Sequence, residues 1–139
     1  MSAKISVPFK NQLSEIKRLG QIVAAFGARH HLPARVVFEV NLALEEILTN
    51  VISYGYEDSS EHQIRLTLAL VGGELRAEVE DDGRPFNPIE APEPEMDSPL
   101  EERPVGGLGI HLARKLMDRL AYRRQQDKNL LLMTKKIER

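Results

Sequence analysis

The chain is organised around ALEEILTNVISYGY, residues 43–56. At about 100° per residue on an α-helix, Val37, Val40, Leu44, Ile47 and Val51 fall on one stripe, spaced alternately three and four residues apart. That periodicity predicts a helix beginning near Pro33 with its stripe toward a core. Glu46 and Asn50 are four residues apart and stack on one flank of the stripe, whereas Glu45 points to the other. Taken alone, the pair reads as two solvated residues of an amphipathic helix or as a carboxylate and an amide sharing a ledge. The company the helix keeps further along the chain bears on that choice.

Upstream, Ile5, Val7 and Phe9 alternate with polar neighbours, predicting a short strand near Pro8 at a sheet edge. Leu13, Ile16, Leu19, Val23 and Phe26 then recur at helical spacing and predict a helix over roughly 12–30. His30 and His31 close it. Adjacent helical positions diverge and no carboxylate lies near in sequence, so helix-end histidines at the negative pole of the dipole are the reading, not metal ligands. His31-Leu32-Pro33 stops this helix, and Pro33 suits the start of the next.

Downstream, Ile64, Leu66, Leu68 and Leu70 alternate, Gly72-Gly73 makes a tight turn, and Leu75, Ala77 and Val79 alternate again, which predicts a hairpin with one buried face. Asp81 shares the parity of Leu75, Ala77 and Val79, so its carboxylate faces the core side at the strand end. A buried aspartate needs a partner: local backbone amides of the Asp81-Asp82-Gly83 turn, or a ligand lying between sheet and helices.

From Arg84 the texture changes. Six of the eight prolines lie between Pro85 and Pro104, among acids at Glu90, Glu93, Glu95, Asp97, Glu101 and Glu102. Such composition builds no core, and its length between two site-like motifs predicts a lid over about 84–105. It runs into Gly106-Gly107-Leu108-Gly109-Ile110 and a helix on which Ile110, Ala113, Met117 and Leu120 share a face. Glycines opening a helix suit a phosphate, because the backbone approaches closely and unpaired amides face the anion. Two strands, about 121–126 and 130–137, joined at Asp127-Lys128-Asn129, end the chain.

At 139 residues the chain fits one domain with a real core, and 42% apolar with 29% charged residues describes an ordinary globular protein. No apolar run approaches the roughly 20 residues of a membrane helix, and MSAKISVPFK lacks the apolar stretch of a secretory signal. A cytoplasmic location and no membrane partner are the expectation. Without cysteine there is no disulfide framework and no thiolate zinc site. A formal net charge of −2 with no basic block argues against direct nucleic-acid binding.

The ordered set of a helix with EEILTN, a strand end with DDG, a proline-rich segment and GGLGI opening a helix resembles the GHKL ATPase superfamily over nearly the whole chain. Within it, the bacterial anti-sigma-factor serine/threonine kinases of spore and general-stress switches look closest. Glu46-Ile47-Leu48-Thr49-Asn50 matches their helix motif, and Asp81 to Phe86 matches their DDG-x-P-F form. The expected fold is an α/β two-layer sandwich of the histidine-kinase-like ATPase (Bergerat) type: a mixed, mostly antiparallel five-stranded sheet with helices on one face, residues 1–139 forming a single ATP-binding kinase domain.

The resemblance implies ATP and Mg2+ as cofactors. It makes Asn50 the magnesium ligand, Glu46 the general base, Asp81 the acceptor for the adenine amino group and Gly83 the close approach to the base. Phe86 and Arg103 join the nucleotide site, and Gly106, Gly107, Leu108 and Gly109 wrap the phosphates. Pro85 departs from the second glycine of many superfamily members, and the acidic lid would repel a triphosphate if folded inward. The implied activity is phosphorylation of a serine on an anti-anti-sigma (STAS) protein together with sigma-factor binding. The first helix and edge strand are the implied homodimer or partner surface. The competing expectation is a nucleotide-dependent regulatory module that sequesters its partner without significant phosphotransfer.

Overall fold

The computed structural model describes residues 3–90 and 107–137. Five strands, β1 (Ala3–Lys10), β2 (Gln63–Val71), β3 (Glu74–Asp81), β4 (Arg119–Gln125) and β5 (Lys128–Lys136), form one sheet in the order β1-β2-β3-β5-β4. Every neighbouring pair is antiparallel, so among the described residues the sheet is wholly antiparallel where a mixed, mostly antiparallel one was expected. The period-two patterning of the strands explains the register. Val7 pairs with Leu66, Leu66 with Val79, Val79 with Leu131 and Leu131 with Tyr122, one row running across the whole sheet on its inner face.

Helices α1 (Ile16–Arg29), α2 (Ala34–Tyr54) and α3 (Gly107–Leu116) accompany the sheet. Leu19, Val23 and Phe26 of α1, Val40, Leu44 and Leu48 of α2, and Ala113 of α3 join the inner-face strand residues in one core. Burying a Leu or Phe side chain contributes about 1.5–3 kcal/mol, and α2 supplies the largest share of the helical side. Its buried face is broader than the expected stripe and centred differently: Val36, Ala43 and Leu48 are buried beside Val40, Leu44 and Ile47, whereas Val37 and Val51 are only partly covered. The reason is tertiary. α2 packs against both α1 and α3 as well as the sheet, and Val37 turns toward Gly27 of α1.

Several ends differ from the sequence expectation. A 3-10 turn over Leu13–Glu15 precedes α1. α1 stops in a Schellman motif, with Leu32 N–H donating to Gly27 O at 2.9 Å and His31 in the left-handed region at φ 55°. His30 rests against the Phe26 ring. α3 ends at Leu116, so Leu120 lies on β4 and not on the helical face assigned to it. The β4–β5 hairpin turns at Gln126-Asp127, both at positive φ, one residue earlier than expected. This is the geometry of a two-residue type I′ turn, whose twist matches the flanking strands, and it places Asn129 inside β5. Among the described residues no helix is long and apolar enough to cross a membrane. Most of the expected lid, with Arg103 and Gly106, lies outside the described residues.

The α1–α2 contact gives a first prediction. A Cβ added at Gly27 would overlap Val37 Cγ2, a branched side chain with little freedom to move. Gly27→Ala should therefore lower stability by about 1–3 kcal/mol in urea unfolding despite the better helix propensity of alanine, and Gly27→Ala with Val37→Ala should recover part of the Gly27→Ala loss.

Candidate functional site

Where the inner-face apolar rows of the sheet stop, the next row is polar: Asp81 pairs with Asn129, and Asn129 with Arg124. This row closes one end of a cavity of about 240 Å³, lined on the helix side by Ile47, Asn50, Val51 and Tyr54 and on the sheet side by Val79, Asp81, Tyr122, Asn129 and Leu131. Arg84, Pro85, Phe86 and Pro88 form a third wall. The first residues of the expected lid are thus a fixed side of the cavity, pinned by a short 3-10 turn over Pro88–Glu90 in which Ile89 N–H donates to Asn87 Oδ1. A mainly apolar cavity with a few convergent polar groups is the usual form of a small-molecule site.

Asn129 is the hub of the polar end. Its Nδ2 donates to Asp81 Oδ1 and to Arg84 O, both at 2.9 Å. Its Oδ1 accepts from Tyr122 OH and from Phe86 N–H. The side chain reaches β3, β4 and the segment after β3 at once, so it fixes all three around the cavity. Asp81 is 6% exposed, and Gly83 N–H also donates to its Oδ1 at 2.9 Å. Of the two expected kinds of partner the local amide is present, joined by Asn129 from β5; both donate to Oδ1, and Oδ2 has no hydrogen bond among the described residues.

Burial pushes the Asp81 pKa above the ordinary carboxylate value, while the bonds from Asn129 and the Gly83 amide pull the other way. A carboxyl raised in the fold holds its proton more tightly than in the unfolded chain. Its charging therefore costs stability, a cost that sets in as pH rises through the unfolded value of about 3.9 and is complete above the raised one.

Gly83 is confined by the backbone. An added Cβ would lie 2.5 Å from Gly55 O, and Arg84 N–H donates to the same carbonyl at 2.9 Å. Arg84 Nε donates to Tyr54 O at 2.9 Å, capping the end of α2 as a surface arginine. Arg124 Nη1 donates to Gly83 O at 2.8 Å. The Asp81–Gly83 turn is thus built directly onto the exit of α2.

On α2, Asn50 lines the cavity, and its Oδ1 is buried without a hydrogen-bond partner among the described residues. An orphaned amide oxygen costs about 1–3 kcal/mol, a cost that a cation or donor reaching it would remove. Glu46 lies one turn earlier, partly buried, and is not among the lining residues. Gly107, Leu108 and Gly109 form the first turn of α3, not a loop before it, so the unpaired amides of a helix start fall on these residues. The structure gathers Asn50, Asp81 and Phe86 around one space, with Gly83 immediately behind Asp81. Asn129 and Tyr122 were missed from sequence because Asn129 was assigned to the hairpin turn; counting back from Leu131 and Met133 by parity would have put it on the inner face beside Asp81.

A family profile described as histidine kinase-like ATPase domain matches residues 9–135. A serine/threonine-protein kinase, BtrW, of Bordetella bronchiseptica is 30% identical over 106 residues, covering 76% of this chain and 75% of that protein. An anti-sigma F factor of Clostridium kluyveri is 28% identical over 136 residues, covering 98% of this chain and 94% of the relative. The serine-protein kinase RsbW of Bacillus mycoides is 30% identical over 106 residues, covering 73% and 64%. Among solved structures, the RsbU and RsbW domains of a Mycobacterium tuberculosis protein superpose with a TM-score of 0.71 at 17% identity. That match covers 99% of this chain, which spans 33% of the solved one.

Removing the hub tests the polar end. Asn129→Ala should cost about 1–3 kcal/mol near pH 7 by leaving buried partners unpaired. The loss should be smaller near pH 4, where the Asp81 carboxyl is closer to neutral; urea unfolding at the two pH values measures both.

Proposed function

The chain belongs to the histidine kinase-like ATPase domain family, and from that membership we propose that it is an anti-sigma-factor serine/threonine kinase that binds MgATP in the cavity beside α2. Its substrate is a serine of a small anti-anti-sigma (STAS) protein, and it also binds a sigma factor. The observation that carries the reading is that Asn50, whose buried Oδ1 has no hydrogen-bond partner among the described residues, lines the same apolar space as Asp81. The names of the relatives support the kinase class and the regulatory partners.

The donor set fits a magnesium nucleotide. Asp81 lines the cavity with one oxygen fixed by Asn129 and Gly83, which supports its second oxygen accepting an N–H from an amino-bearing base. Ile47, Val51, Phe86 and Leu131 offer apolar walls to a planar ring. Asn50 Oδ1 is a hard neutral oxygen, the kind of ligand magnesium takes alongside water and phosphate oxygens. Among the described residues no group of three or more His, Asp or Glu is placed to hold a metal, so the ion would rely on Asn50, water and the nucleotide. The first turn of α3, Gly107 to Gly109, presents unpaired amides suited to phosphate.

ATP supplies a transferable phosphoryl group, and the protein's part in such a transfer is mostly positioning and charge neutralisation. Glu46, one turn from Asn50, takes the proton of the incoming serine hydroxyl. It lies outside the cavity lining, which suits a group that meets a protein substrate from beyond the nucleotide. Roles for Arg103 and Gly106, a lid over 84–105 and a homodimer through α1 and β1 belong to the same proposal and rest on the sequence.

Calorimetric titration of MgATP and radiolabel transfer to a serine-bearing STAS partner test the assignment together. Asn50→Ala should lose magnesium-dependent affinity. Glu46→Gln should still bind MgATP, while transfer falls by about 10²–10⁴-fold. Unchanged transfer in Glu46→Gln would remove it as the base, and binding with partner regulation but no transfer in the wild type would establish the sequestering module instead.

A further inference from the structure

His62 sits outside the cavity, at the end of the loop that follows α2, yet it is among the most constrained side chains of that region. Its Nε2 lies 2.8 Å from Asp58 Oδ1, and its Nδ1 lies 3.2 Å from each carboxylate oxygen of Asp82. The ring stacks on Tyr56, centroids 4.2 Å apart and planes 16° from parallel. Its backbone is held as well: His62 N–H donates to Asn11 Oδ1 at 2.8 Å, and Asn11 N–H to His62 O at 3.1 Å. The side chain is 19% exposed.

The loop carrying it shapes the Asp81–Gly83 turn. Gly55 O blocks any side chain at Gly83 and accepts from Arg84 N–H. Residues 57–61 are exposed, so the loop has little core of its own. It is tied to the turn at two ends, through Arg84 on Gly55 and through Asp82 on His62. Asp82 directly follows Asp81, the carboxylate placed for the base.

We propose that His62 is a positioning residue of the nucleotide site, its charged imidazolium bridging Asp58 and Asp82 so that the loop after α2 holds the Asp81–Gly83 turn in its binding geometry. A cationic ring donates from both nitrogens, one to each carboxylate, whereas a neutral ring has one N–H and turns a lone pair on one of them. The other charged groups around the ring form ion pairs of their own on the far side: Lys10 with Glu61, and Glu15 with Arg18. They leave the two aspartates as the ring's direct partners. The bonds to Asp58 and then Asp82 raise the His62 pKa above its ordinary value of about 6.5. A base raised in the fold contributes stability fully present below the unfolded value and lost as pH rises through the folded one. The tie therefore weakens as pH rises on the alkaline side of about 6.5.

This inference rests on the nucleotide reading for its function, and the test separates the two. Histidine side-chain NMR titration of the wild type reads the tie without any ligand: His62 should titrate above about 6.5 and move down in Asp82→Asn. Calorimetry with MgATP at about pH 6 and about pH 9 reads the consequence. Wild type should lose about three- to tenfold more affinity across that interval than His62→Gln, the span of one ordinary hydrogen bond, the glutamine variant subtracting the titration of ATP itself. His62→Gln and Asp82→Asn should bind at pH 6 as weakly as the wild type does at pH 9, relative to that baseline. Identical pH profiles in wild type and His62→Gln, or a His62 titration unmoved by Asp82→Asn, would overturn the inference while leaving ATP binding intact. No ATP binding by the wild type at either pH would overturn the nucleotide reading itself, and the positioning role with it.

Discussion

The cross-strand pair of Asp81 and Asn129 is the constraint that the rest of the site is built around. A carboxylate at 6% exposure is tolerable only when its oxygens are satisfied, and here Asn129 and one turn amide share a single oxygen. To do so Asn129 must stand directly opposite Asp81, which requires β5 to pair with β3 in one register and no other. The other three bonds of its amide then follow: Tyr122 is drawn in from β4, and Phe86 and Arg84 from the segment after β3. One buried carboxylate thereby organises three separate stretches of chain around the cavity that Asp81 itself lines.

Much of this was legible in the sequence where a single periodicity governs. The β2–β3 hairpin, the inward parity of Asp81 and the ledge of Glu46 and Asn50 follow from periods of 2 and 3.6 and from nothing else. The centring of the α2 stripe did not, because a helix packed by neighbours on both sides has no single buried direction; Val37 follows Gly27 rather than the sheet. Asn129 was lost to its residue type. Asn beside Asp and Lys carries turn propensity, and only the strand pairing reveals that the turn is finished two residues sooner. Gly83 was read as room for a ligand, whereas the structure shows it first as room for Gly55 O.

α2 does two jobs along its 21 residues. Its first half closes the core against α1, and its last turns line the cavity through Ile47, Asn50, Val51 and Tyr54. The Asn50 oxygen, unpartnered among the described residues, is a polar atom set at the edge of an apolar helix face, an arrangement that costs stability in the absence of a ligand. Sites of this kind are where local rules of folding are broken for function.

The two-residue β4–β5 turn has a consequence for how such a protein changes over time. Gln126 and Asp127 both occupy left-handed backbone, and their number sets which residues of β5 face inward. One residue deleted or inserted there flips the strand by one position and brings Leu130 or Lys128, respectively, to the place of Asn129. The site would then be erased without any lining residue being replaced. Substitution can explore the walls of this cavity one side chain at a time, but length variation at that hairpin is closed to it, and descendants that retain the site must inherit the spacing along with the residues.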